Sequence, residues 1–289
     1  MSFAKLEEII DAAEKENIPF WLAVLEDDRK EKNISYEDSF DAMRQMYRAM
    51  KQADAAYNPE IRSASGLAGG DGAKLEEFRK QENRLIGDFL TQVMEKAVKM
   101  GESNACMRRI VAAPTAGSCG VIPAVLITYE EQRQVPEDRM VEALYAAAGI
   151  GEVIAVSASI SGAEGGCQAE IGSASAMAAG AVTYLEGGGN EEIVHAAALA
   201  MKNMLGLTCD PVAGLVEVPC IKRNVSGAVN AVISSQMVMA GIRSAIEPDE
   251  VIDSMRRIGK LLPSCLKETG QEGLAVTQTA QQVAKRLKV

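Results

Sequence analysis

Six cysteines carry most of the reactive chemistry open to this 289-residue chain, set against a single histidine. Four of them, Cys119, Cys167, Cys209 and Cys220, fall in glycine-rich stretches: "AAPTAGSCGVIP" (112–123), "SISGAEGGCQAEIGSAS" (159–175) and "GLTCDPVAGLVEVPCIKRN" (206–224). Glycine lets a backbone approach a ligand closely, so such loops are where thiol ligands or a nucleophile belong. Cys106 and Cys265 sit in helix-like contexts and read as inert core thiols. One histidine nearly excludes a Ser-His-Asp triad or a His-rich zinc site. His195, in the apolar "NEEIVHAAALAMKN", reads as a packed or surface residue rather than a base. Thiolates without a histidine or carboxylate pattern favour an iron–sulfur cluster over catalytic zinc. No C-x₂-C-x₂-C run is present, so the residues alone leave both a cluster and buried free cysteines open.

Two further stretches bear on chemistry. "GLAGGDGAK" (66–74) lacks the Gly-Lys-Ser/Thr ending of a P-loop. It reads either as a turn that aims backbone N–H groups at a carboxylate or as a plain helix-opening turn capped by Asp71. Lys222 lacks the glycine-rich phosphate cup that a pyridoxal-phosphate site needs.

The elements that must position these residues are helical. Apolar positions recur at helical spacing in 3–17, 35–57 (opened by Ser35 with Asp38 three residues on) and 82–101, which ends in Lys-Met-Gly. The stretches 136–149, 190–206 and 248–262 open on Pro or Asn plus acids, as capped helices do. Aromatics are only 4% and no run alternates apolar with polar residues, so the expected fold is all-α, one large domain over 1–289 with glycine-rich site loops. The chain carries 30 basic and 40 acidic residues, a net charge of -10, which argues against nucleic acid and anionic membrane as partners. The most apolar window, 143–163, is interrupted by Glu152 and rich in Gly, Ala and Ser; it reads as a close-packed buried helix pair rather than a membrane span. The start, "SFAKLEEIIDAAEKEN", is not a secretory signal, so the expected location is the reducing cytoplasm.

Four ordered motifs, "APTAGSCG" (113–120), "SISGAEGGCQAEIGSASAMAAG" (159–180), "GLTCDPVAGLVEVPCIKRN" (206–224) and "KETGQEGLA" (267–275), resemble the iron–sulfur-dependent L-serine dehydratases, and more narrowly the α chain of the two-chain form. The resemblance runs from about residue 60 to 276, the first sixty residues being a helical lead-in. It implies a [4Fe–4S] cluster held by Cys167, Cys209 and Cys220, with one iron lacking a protein ligand, and Cys119 near the site but not a ligand. It further implies L-serine as substrate, pyruvate and ammonia as products, and a separate β chain as partner. Ser159 and Ser161 become the candidate catalytic bases. Gly69, Gly70, Thr115, Gly117, Asn224, Lys267 and Thr269 become candidates for the substrate. Two alternatives share the motifs: a related lyase acting on L-cysteine or L-threonine, and a non-catalytic cluster-binding sensor subunit. Two departures stand out. Glu272 occupies a position where the family's tail motif has glycine, which raises the prospect of a lost tight turn and of repulsion toward the substrate carboxylate. The ending "AKRLKV" has no terminal cysteine to cap the open iron, which is expected to be free or water-bound at rest.

Overall fold

The structure, a computed structural model, describes residues 2–82 and 84–288. Thirteen α-helices account for the architecture among these residues. The lead-in forms α1 (Leu6–Glu16), α2 (Phe20–Lys32) and α3 (Tyr36–Ala55). Next come α4 (Asp71–Arg79), α5 (Asp88–Ala105), α6 (Val121–Arg133), α7 (Glu137–Ser157) and the single turn α8 (Gly162–Gly165). The chain continues through α9 (Ser173–Leu185), α10 (Asn190–Lys202), α11 (Cys220–Met239), α12 (Pro248–Leu261) and α13 (Gln278–Leu287). The only extended pairing among the described residues is a parallel bridge between Cys209 and Lys267. The all-α expectation therefore holds.

Helix α9 is the axis. Every residue from Ser173 to Tyr184 is buried, and the helix packs against α6, α7, α10 and α11. Its sequence, "SASAMAAGAVTYL", explains how one rod takes four neighbours: side chains this small let backbones come close on every side. A Cβ on Gly180 would lie 2.2 Å from Ile150 Cδ1 of α7. Two of the polar side chains on α9 bond across the same contacts, while the buried Ser173 hydroxyl has no partner. Ser175 Oγ donates to the Gly227 carbonyl at 2.7 Å, and Thr183 Oγ1 donates to Ser235 Oγ at 2.8 Å.

The lead-in is packed onto this body. Ile9, Phe20, Leu25 and Tyr47 are fully buried in the same core as Tyr145 and Ile150, each worth about 1.5–3 kcal/mol of hydrophobic stabilisation. Ser35 caps α3 as its sequence suggested, its hydroxyl accepting from the Asp38 N–H at 3.0 Å. Asp249 of α12 accepts the Leu6 and Glu7 N–H groups, closing the N-terminus onto the far side of the chain.

Several sequence expectations are corrected. Residues 143–163 are not a helix pair but the latter half of α7 followed by a turn; α7 is long and apolar enough to cross a membrane, and 67% of its most apolar window is buried within the protein. The stretch 82–101 begins its helix at Asp88, and Asn83 lies outside the described residues. Gly101 does not stop that helix, which continues to Ala105; it marks the crossing with α11, where a Cβ would meet Ile221 at 3.1 Å. The segment 159–175 is mostly helical rather than a loop: α8, then a π-helical turn at Gln168–Gly172 that runs into α9. Cys106 and Cys265 are half-exposed, not core.

Candidate functional site

Three buried cysteines meet where α8, the 206–219 loop and α11 converge. Cys167 stands just before the π-turn, Cys209 in the extended bridge, and Cys220 is the first residue of α11 rather than a loop residue. Their exposures are 1%, 3% and 7%. Gln168 sets the first of them: its backbone N–H donates to the Leu207 carbonyl, its side-chain Nε2 to Met255, and its Oε1 accepts from Gly206. Cys209 is fixed by main chain alone, its N–H donating to Leu266 and its carbonyl accepting from Glu268.

The thiols are near enough to act on one another. Burial pushes Cys167 up to about 11 and Cys220 up to about 12, with the neighbouring Cys167 adding to the latter. Cys209 is also driven upward by burial, then by Cys167 and the carboxylates of Glu170 and Glu268. One cation opposes this. Arg223 lies close enough to Cys167 to favour its thiolate, donates to the Thr208 carbonyl at 2.7 Å and pairs with buried Asp210 at 2.9 Å. No three His, Cys, Asp or Glu side chains among the described residues converge tightly enough to chelate a single ion. An all-thiol triad spread over a shared, dry pocket is the donor set of a cuboidal iron–sulfur cluster, whose thiolates sit further apart than those around one ion. The residues fit such a group.

Beside the thiols lies a feature the motifs carried but the sequence reading did not single out. Glu170 is part-buried, accepts a hydrogen bond from Thr115 Oγ1 at 2.8 Å, and has its carboxyl raised by burial, with Glu268 adding to the rise. Two glycine-scale gaps make room for it. A Cβ on Gly117 would lie 3.0 Å from Glu170 Oε1, and one on Gly162 would lie 2.9 Å from Glu170 Oε2 and 3.3 Å from Glu268 Oε2. Two carboxylates thus converge on one point next to Ser161. Nothing in its local sequence sets it apart, since Glu164 lies in the same small-residue run.

The structure sorts the remaining candidates. Gly69 and Gly70 do form a nest, both with positive φ, but its N–H groups are spent: Gly69, Asp71 and Gly72 donate to the buried carboxylate of Glu102 at 3.1, 2.8 and 3.1 Å. The loop is pinned again by Ser63 and Ser65, whose hydroxyls donate to buried Glu217 near Cys220. Asn224 uses its whole amide on backbone, accepting from Gly120 and donating to Gly117 and Cys220 carbonyls; it positions α11 against the 113–120 loop. Thr269 donates to the Ser264 and Cys265 carbonyls. These residues hold the site rather than offer free groups to a substrate. Thr115 and Gly117 border Glu170 and Ser161 precedes Gly162 there, whereas Ser159 and Lys267 line a separate cavity. Ser159 Oγ accepts the Ser161 N–H at 3.1 Å. Cys119 is buried with its thiol raised to about 12 by burial, next to the site and inert. Lys222 pairs with Asp71 at 2.6 Å.

Glu272 also resolves. Its backbone is extended and its side chain exposed; the left-handed, tightly packed position is Gly273, where a Cβ would press to 2.7 Å on Asp210. The tight turn is therefore intact.

The chain is also similar in sequence to known proteins. The chain is 43% identical over 285 residues to the probable L-serine dehydratase, alpha chain, of Bacillus subtilis (strain 168), covering 99% of this chain and 95% of that one. It is 39% identical over 284 residues to the L-serine dehydratase, alpha chain, of Peptoniphilus asaccharolyticus, covering 96% and 95%. Against L-serine dehydratase TdcG of Escherichia coli (strain K12) it is 46% identical over 182 residues, 62% of this chain but 40% of that longer one. With residues 15–275 matching the family described as serine dehydratase alpha chain, this chain belongs to that family.

Proposed function

We propose that this chain is the catalytic α subunit of a two-chain cytoplasmic L-serine dehydratase, converting L-serine to pyruvate and ammonia with a [4Fe–4S] cluster on Cys167, Cys209 and Cys220. The observation that carries the reading is the convergence of three buried, mutually interacting thiols from distant parts of the sequence, beside a carboxylate pair.

When bound, the cluster supplies a Lewis acid for loss of the substrate's hydroxyl, through an iron to which the protein gives no ligand. The protein's own groups bind and orient. Glu170 and Glu268 face the space by Gly162 and suit the substrate ammonium. Thr115 fixes Glu170, and Gly117 leaves a backbone approach to the same space. Ser161, with no capping hydrogen bond on its side chain, is the proposed acceptor of the Cα proton, which it takes up as the ionised alkoxide and passes to the departing hydroxide as water forms. Breaking the Cα–H and Cβ–O bonds gives aminoacrylate, which tautomerises to an imine and takes up water to release ammonia and pyruvate. Arg223 holds a positive charge against Cys167, which favours its thiolate.

Anaerobically purified protein should be brown, carry about four irons per chain, and with its partner chain form pyruvate from L-serine. Cys209→Ser should lose iron and turnover together. Colourless, iron-free protein turning over at full rate overturns the assignment. Catalytic efficiencies on L-serine, L-threonine and L-cysteine compared side by side decide the substrate.

A further inference from the structure

A cavity of about 340 Å³ opens between the ends of α7 and α12 and the short α8, and none of the three cysteines lines it. Its size lies at the lower end of small-molecule sites, roughly 300–1,000 Å³. Ala158 and Met255 give it apolar walls. Two lysines, Lys260 and Lys267, border it, and neither makes an ion pair among the described residues. Arg256 also borders it, and its carboxylate partner Asp253 is shared with Arg257, so it adds to the positive side of the lining. The single acid in the lining, Glu164, is likewise unpaired.

The lining therefore keeps a net positive charge against partly apolar walls. A small carboxylate offsets that charge; a zwitterionic amino acid leaves the excess in place. Ser159 contributes a hydroxyl whose oxygen already accepts the Ser161 N–H, so its hydrogen is free to be donated to an acceptor. We propose that this cavity binds a small 2-oxo monocarboxylate, its carboxylate held by Lys260 and Lys267 and its oxo group by Ser159. The charge count stands without the dehydratase reading; only pyruvate as the natural occupant rests on it. Gly165 and Ala169, which form the inner wall, flank Cys167 in sequence, and Lys267 is bridged to Cys209. An occupant thus presses on the same backbone that carries two of the thiols, which makes the cavity a route for product to act back on the site.

The test is pyruvate binding to the full chain purified in air without its partner, followed by titration calorimetry. Lys260→Gln and Lys267→Gln should each weaken binding about tenfold, and Glu164→Gln should tighten it, since a charge-assisted hydrogen bond or a removed repulsion is worth roughly that much. L-Serine should bind more weakly than pyruvate, and circular dichroism should show each variant folded. The proposal fails if pyruvate does not bind, if both lysine variants bind it as tightly as the parent, or if L-serine binds as tightly as pyruvate. It fails also if saturating partner chain abolishes pyruvate binding, because the cavity is then part of the subunit interface. A chain that binds pyruvate but, with its partner, makes none from L-serine keeps this site and loses the dehydratase reading; turnover without pyruvate binding does the reverse.

Discussion

Glu170 concentrates the conflict between stability and function at the residue scale. Burial raises its carboxyl above the ordinary 4.5, so the folded chain holds that proton more tightly than the unfolded chain does. The stability this brings is complete below 4.5 and lost as pH rises through the raised value, leaving a buried charge as a cost at neutral pH. Glu170→Gln should therefore raise the neutral-pH melting temperature and flatten the stability–pH curve above pH 4.5, measured on iron-free protein by thermal denaturation. The same variant, with the cluster loaded, should raise the KM for L-serine about tenfold through loss of an ammonium partner. An unchanged KM would separate Glu170 from substrate. The cysteine triad was legible only through long ordered motifs, because its spacing resembles no local ligand run. Glu170 was not legible, because nothing local distinguishes it from a surface acid. What marks it is a set of gaps at Gly117 and Gly162, made by residues 53 and 8 positions away and visible only once the chain is folded.

Among the elements, α9 shows why periodicity has limits. Helices α1, α3, α10 and α12 announce themselves by their opening residues and an apolar stripe. Helix α9 has no stripe, since all its faces are covered, and its Gly, Ala and Ser content reads locally as loop. The same composition makes it intolerant of volume. Gly180→Val should push into Ile150 and destabilise the chain by about 1–3 kcal/mol, seen as a lower melting temperature with secondary structure retained. A neutral result would mean α7 and α9 can separate without loss, contrary to the packing described. Gly101 makes the converse point: a glycine that ends helices in isolation instead sits mid-helix where α11 needs room.

Over the whole molecule, buried carboxylates hold remote segments against the thiol pocket. Asp210 pairs with Arg223 through one oxygen and accepts the Leu274 N–H through the other, tying the 267–275 motif to the cysteine loop. Asp210→Ala strands Arg223 without its partner, a change that costs about 3–5 kcal/mol for buried pairs. Limited proteolysis should then cut first within 267–277, and reconstituted protein should hold less iron. Equal protease resistance would mean the bridge at Cys209 suffices alone. Glu102 and Glu217 play the same part for the 63–72 loop, and Arg286 of α13 adds a last tie to the Ser65 carbonyl. The all-α class and the order of the motifs were legible from sequence. This web was not, because each of its acids looks, in isolation, like a solvated surface charge.

The three thiols also fix an order of events during biosynthesis. Cys167 leaves the ribosome some fifty residues ahead of Cys220, and its orientation depends on Gln168 reaching Met255 on a helix made later still. Nascent chain shorter than α12 lacks the Gln168 contact with Met255, so under the proposed function iron and sulfide are delivered only once α12 has joined the fold.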